Sequence, residues 1–189
     1  PANHRSMPLL EGPLEDTVRW LERAVIGLNL CPFAKSVHVK GLVHVVANHG
    51  GDPTELLAWT RSELFDLKAM PESARETTLL VMPCAMADFL DFNDFVGEAD
   101  GLLSELGMEG EFQIASFHPD FQFAGTTADD ITNFTNRSPY PTLHLLRESS
   151  IDRAVAVFPE AEAIYEINME TLRRLGHTGW QALDVGAHP

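Results

Sequence analysis

The stretch TTLLVMPCAMADFLDFNDFVGEADGLLSELGMEGEFQIASF, residues 77–117, decides the fold class. It opens on Thr77 to Met82, a short apolar run closed by Pro83-Cys84, and ends on Phe112 to Phe117, a second such run. Both read as buried strands. Between them, Asp88 to Leu106 carries apolar residues at helical spacing and stops at Gly107, which reads as an amphipathic crossover helix. Strand, helix and strand in that order predict a βαβ unit and a sheet that is at least partly parallel.

The pattern repeats upstream. Leu42-Val43-His44-Val45-Val46 is β-branched and bounded by Gly41 and the HGGDP turn, so it reads as a strand. Asp52 then caps a helix with Pro53 at its first position and Glu55 at the capping-box position, running to about Ala69. Before it, Val18, Leu21, Val25 and Leu28 repeat at helical spacing from Leu14 to Leu30, where Pro32 stops the pattern. After His118 the character changes. Residues 119–137 read as a long polar and aromatic loop, and helices are expected at 139–149, 151–157 and 160–175. The expectation is a single α/β domain over residues 14–175, with βαβ crossovers and a helical C-terminal third. A flexible arm (1–13) precedes it and a loosely held tail (176–189) follows.

With 189 residues and 44% apolar composition, the chain can bury a core without metals or disulfides. Its formal charge is −15, and no Lys or Arg stands between Arg75 and Arg137, a stretch that carries Asp88, Asp91, Asp94, Glu98, Asp100, Glu105, Glu109 and Glu111. Such a surface repels phosphate backbones and anionic lipid headgroups, which argues against nucleic acid and membrane partners. No apolar run approaches the roughly 18–20 residues of a membrane span, and the first residues lack the apolar segment of a signal peptide, so the expected location is the cytoplasm. The two cysteines, Cys31 and Cys84, are too few for a disulfide framework, and neither lies in the CxxC pair of a structural zinc site.

Candidate chemistry follows from position. In open α/β sheets ligands bind beyond the carboxyl ends of the strands. His118, between a strand and Pro119, is the first candidate, as a catalytic histidine or one satisfied by a backbone carbonyl. The loop after it keeps Phe117, Phe121, Phe123, Phe134 and Tyr140, too aromatic for disorder, and should wall a pocket. Then come Asn136, Arg137 and Ser138. Ser138 can cap a helix starting at Pro139, and Arg137, the first cation after the acidic stretch, either pairs with a carboxylate or holds an anionic ligand. In the expected helix, His144 lies beside Arg147 and Glu148, at three and four residues. That spacing suits surface pairing, a carboxylate orienting a general base, or a weak metal site. Cys31 becomes a nucleophile if it caps a turn at Pro32 with Lys35 nearby, and stays an inert thiol if it meets the end of the first helix. Cys84 is the weaker candidate.

Read together, GLNLCPFA, FQIASFHPDFQF and TNRSPYPTLHLLRE resemble an uncharacterised bacterial family, domain of unknown function 1415. The resemblance spans roughly Leu14 to Leu175. It brings no activity, cofactor or catalytic residue, but implies that Cys31, Pro32, Phe33, His118, Pro119, Asn136, Arg137, Ser138, His144, Arg147 and Glu148 belong to the family's characteristic segments. The resulting expectation is that Cys31, His118, Asn136, Arg137 and Glu148 converge on one cleft at the carboxyl edge of the sheet. There a hydrolase or transferase would act on a small anionic metabolite. His118 or His144 would move a proton, Glu148 would orient, Cys31 would attack, and Arg137, Asn136, Ser138, Arg147 and Lys35 would bind. The alternative is an accessory protein that holds an anion or metal without chemistry. No metal ligand set, cofactor or oligomeric state is assigned.

Overall fold

The computed structural model describes residues 12–158 and 160–188; the expected arm lies outside the described residues up to Glu11. Helix α1 (Gly12–Trp20) runs directly into a π-helical turn (Leu21–Ile26). The chain leaves it at Asn29, whose φ of 54° is the left-handed conformation that asparagine tolerates at helix ends. A short α2 (Ala34–Val39) leads to β1 (Val43–Ala47), α3 (Pro53–Ala69), β2 (Thr77–Val81), α4 (Phe89–Glu105) and β3 (Phe112–Phe117). The two crossover helices start as the sequence dictates. The carboxylates of Asp52 and Asp88 accept the N–H groups of Thr54 and Leu90, at 2.9 and 3.1 Å. Gly107, with φ 66°, closes α4.

The helix expected at 139–149 is instead a strand, β4 (Thr142–Arg147), followed at once by α5 (Glu148–Val157). Two physical features decide it. Pro139 and Pro141 remove helical donors and push Tyr140 toward extended backbone. Beyond them, the alternation of Leu143 and Leu145 with Thr142 and His144 serves a sheet with two different faces. β4 fills the gap between β2 and β3, giving the order β1-β2-β4-β3. It runs antiparallel to both neighbours, whereas β1 pairs with β2 in parallel. The fold is thus mixed α/β with one parallel pair and a C-terminal helix.

One face of the sheet carries the main core. Val46, Leu80, Leu143, Leu145, Phe112 and Ile114 pack against Leu56, Leu64 and Leu67 of α3 and Phe92, Phe95, Ala99 and Leu102 of α4. Each fully buried leucine here contributes about 1.5–3 kcal/mol relative to exposure. A second cluster forms where Trp20, Leu21 and Ala24 meet Val185, with Trp180 and Leu183 packed on it. The C-terminal segment expected to be loosely held is therefore docked. α6 (Ile164–Ala182) continues past a kink at Gly176, where φ 69° suits a residue without Cβ, and Val185 is buried. Asp16, itself buried, fixes the end of the segment by accepting the Tyr140 hydroxyl at 2.6 Å and the His188 N–H at 3.0 Å.

Candidate functional site

The second face of the sheet is only partly covered. Val43, Thr77, Leu79, Ala115, Phe117, His144 and Leu146 point to it, and between them and the surrounding helices lies a cavity of about 410 Å³. Trp20, Leu21 and Val25 wall it from the first helix, Cys31, Phe33, Ala34 and Val37 from the following segment, and Ile151, Ala154 and Val155 from α5. No residue of α5 is buried, because the apolar side of that helix faces the void rather than packed atoms. Cys31 is carried into the wall by α6, where the buried Asn168 amide donates to the Leu30 carbonyl at 2.9 Å.

His144 is the one titratable ring in this apolar lining, and its tautomer follows from its neighbour. The Thr77 hydroxyl donates its single proton to the Leu145 carbonyl at 2.9 Å. Toward His144 it offers only a lone pair, so the ring nitrogen bonded to it, Nε2, carries hydrogen. Nδ1 then holds the free lone pair, and it has no hydrogen-bond partner among the described residues. Burial pushes the His144 pKa down to about 4, so the ring is neutral at physiological pH.

The expected convergence on one cleft is not what forms. His118, Asn136, Arg137 and Ser138 do lie together at the carboxyl edge, but their side chains are satisfied by the surrounding backbone. His118 is fully buried; its Nδ1 accepts the Asp120 N–H at 3.0 Å and its Nε2 donates to the Met86 carbonyl at 2.9 Å, leaving no ring nitrogen for a ligand. Asn136 donates to the Ser116 carbonyl at 3.1 Å and takes the His118 N–H on its own carbonyl at 3.1 Å. Ser138 caps no helix; its hydroxyl donates to the Tyr140 carbonyl at 2.6 Å. Arg137 pairs with no carboxylate among the described residues. Its guanidinium donates to the carbonyls of Phe121 (3.1 Å) and Ala128 (2.6 Å) and lies 4.4 Å from the centre of the Phe134 ring, pinning the aromatic loop. Arg137 and Ser138 line a separate cleft of about 280 Å³ beside Trp180 and Gly186, which shares no lining residue with the large cavity.

The residues grouped on the expected helix part company, because strand positions three apart face opposite sides. Arg147 turns to the α3 side, where its buried guanidinium donates to the carbonyls of Leu67, Met70 and Arg75 at 2.8 to 2.9 Å. It closes the C-terminal end of α3, a favourable place for a cation. Glu148 starts α5 at the amino edge of β3, its N–H on the Glu111 carbonyl at 2.9 Å, so it does not orient His144. Lys35 is exposed on α2 and lines neither cavity. Of the expected residues, Cys31, His144 and Arg147 line the large cavity, Arg147 with its guanidinium turned to the α3 side, and no hydrogen bond joins Cys31 to His144.

Two features escaped the sequence. Thr77, which sets the tautomer of His144, lies 67 residues from it, and only the β2–β4 pairing brings them together. Cys84 faces Nδ1 of His49 at 3.9 Å, where the loops after β1 and β2 meet; a fold-level expectation that strand ends adjoin was the available signal. Among the described residues no three His, Cys, Asp or Glu side chains are grouped to hold a metal ion, and no helix is long and apolar enough to cross a membrane. No curated protein and no solved structure matches the chain. A family's sequence profile does match it, over residues 13–182, and the chain accordingly belongs to the family described as Protein of unknown function (DUF1415).

Proposed function

We propose that the protein binds a small molecule in the cavity between the sheet and α5, with His144 as the polar contact. The observation that carries this reading is a mid-strand histidine on a sheet face that is apolar apart from its partner Thr77, opening an unpaired nitrogen onto about 410 Å³ of space. A largely apolar pocket of a few hundred Å³ with few polar groups is the usual form of a small-molecule site. A void left for no ligand would forfeit contacts along its whole lining. The formal charge of −15 and the cytoplasmic setting expected from the sequence favour a small molecule over nucleic acid or membrane.

The test is binding of Nile red, a neutral dye whose emission rises in apolar surroundings, to the full chain. Saturable binding is expected, with loss in Ala154→Phe, which fills the cavity from α5; circular dichroism shows whether that variant keeps its fold. Absence of dye binding, or equal binding by the folded, filled variant, contradicts the reading.

A catalytic version is favoured by one observation, that Cys31 and His144 line the same cavity. In it the Cys31 thiol gives its proton to Nδ1 of His144 as its sulfur bonds to the carbonyl carbon of a neutral ester. The C–O bond breaks and the alcohol leaves with that proton; water or a second alcohol then takes the acyl group from Cys31, as a hydrolase or transferase would require. Turnover of p-nitrophenyl butyrate, abolished in Cys31→Ser, would support it; equal rates in both proteins would leave binding alone. The anionic metabolite expected from the sequence would have to meet Arg137 in the separate cleft, away from these groups.

A further inference from the structure

We infer that the ligand of the large cavity is an uncharged, mainly apolar molecule that donates one hydrogen bond, from a hydroxyl or an amide-type N–H, to Nδ1 of His144. The inference rests on the reading of this cavity as a small-molecule site and adds the class of molecule.

The hydrogen-bond inventory sets the polarity. With the Thr77 proton committed to the Leu145 carbonyl, Nε2–H of His144 is committed to Thr77, and what remains toward the cavity is an acceptor. A ligand oxygen without hydrogen would face the lone pair of Nδ1, and a ligand donor would satisfy it. Among the other polar side chains in the wall, the Trp20 indole N–H has no partner but is buried beneath the surface of the cavity, and the Ser150 hydroxyl accepts from Arg153 at 3.4 Å. Glu76 is held at the rim by Arg153, at 3.3 Å, and Arg147 directs its guanidinium to three carbonyls on the far side of the sheet.

Charge follows from the same survey. A carboxylate or phosphate entering the cavity loses water and meets no free cation in the lining, an uncompensated burial that costs several kcal/mol. His144 could supply a positive charge only as imidazolium, and burial holds it neutral down to about pH 4. An ammonium group loses the same hydration and finds only Glu76, already paired, at the edge. A neutral donor on an apolar body is the combination that suits both Nδ1 of His144 and the apolar wall around it.

A set of three probes of nearly equal length separates the possibilities: octanol, methyl octyl ether and octanoate, each titrated calorimetrically into the full chain at neutral pH. Octanol is expected to bind, the ether to bind about tenfold more weakly for want of the hydrogen bond, and octanoate not measurably. In His144→Phe, which keeps an apolar ring of similar size, octanol and ether should bind alike. Thr77→Val, which releases the tautomer, should narrow their difference. Ether equal to octanol in the parent protein, or octanoate equal to or tighter than octanol, overturns the ligand class and leaves the site standing. If none of the three binds and Nile red does not bind either, the site itself falls and the ligand class with it.

Discussion

Thr77 and His144 meet diagonally across the β2–β4 pair: Thr77 takes the imidazole N–H while giving its own proton to the carbonyl of Leu145, the residue after His144. The threonine is thereby bound to both the side chain and the backbone of the central strand. It fixes which nitrogen of His144 is protonated, and with it the polarity that the cavity shows to a ligand.

Acid stability should report the burial of His144. Its pKa lies near 4 in the folded chain and at the ordinary 6.5 when unfolded, so between these values the unfolded chain binds more protons. Stability therefore rises with pH across that window and is lost as pH falls through it, by up to about 3 kcal/mol from this residue. His44 and His118, also lowered by burial, act in the same direction in parent and variant alike. Urea unfolding of the parent and His144→Phe at a series of pH values should show a flatter acid limb for the variant. Parallel limbs would mean that His144 titrates as an exposed histidine.

The two arginines once expected to bind ligand should differ in their contributions to stability. Arg147→Met removes the donor shared by the carbonyls of Leu67, Met70 and Arg75, one contact buried and two partly buried, and should cost about 3 kcal/mol. Arg137→Met frees two half-exposed carbonyls and should cost about 1–2 kcal/mol, with faster hydrogen exchange confined to residues 119–137. The reverse order in denaturant unfolding would contradict the placement of these side chains.

How much of this was legible in the sequence depended on the range of the interaction concerned. The βαβ units of residues 43–117 were readable because helix caps, glycine stops and apolar runs are local signals, and Asp52, Asp88 and Gly107 each act where the sequence puts them. β4 differs from the helix expected there because the alternation over Thr142 to Leu145 is too short to separate strand from helix by itself; the prolines before it and the hydrogen bonds to β2 and β3 decide its state. That single error placed His144, Arg147 and Glu148 on one surface, when they occupy two faces of a sheet and the start of a helix. His118 and Arg137 looked chemical because they are polar residues at a strand end. Their partners, the carbonyls of Met86, Phe121 and Ala128, belong to every residue type and leave no trace in side-chain sequence.

The cysteines give a probe of the cavity wall. Cys84 is exposed and Cys31 half-buried, so a thiol-reactive disulfide should label Cys84 first and Cys31 in a slower phase. Octanol should slow the Cys31 phase and leave Cys84 unchanged, because only Cys31 lines the cavity. Peptide mass spectrometry assigns the phases; Cys31 labelling first, or both phases slowed alike, would count against the cavity as described.

The most direct measurement is the long-range proton–nitrogen NMR spectrum of the His144 ring, assigned with His144→Phe. The account predicts a neutral imidazole with a pyrrole-type, protonated Nε2 and a pyridine-type Nδ1, unchanged from neutral pH to about pH 5 and shifted at Nδ1 when octanol is added. Nδ1 protonated in place of Nε2, rapid averaging of the two, or titration near the ordinary 6.5 would contradict it.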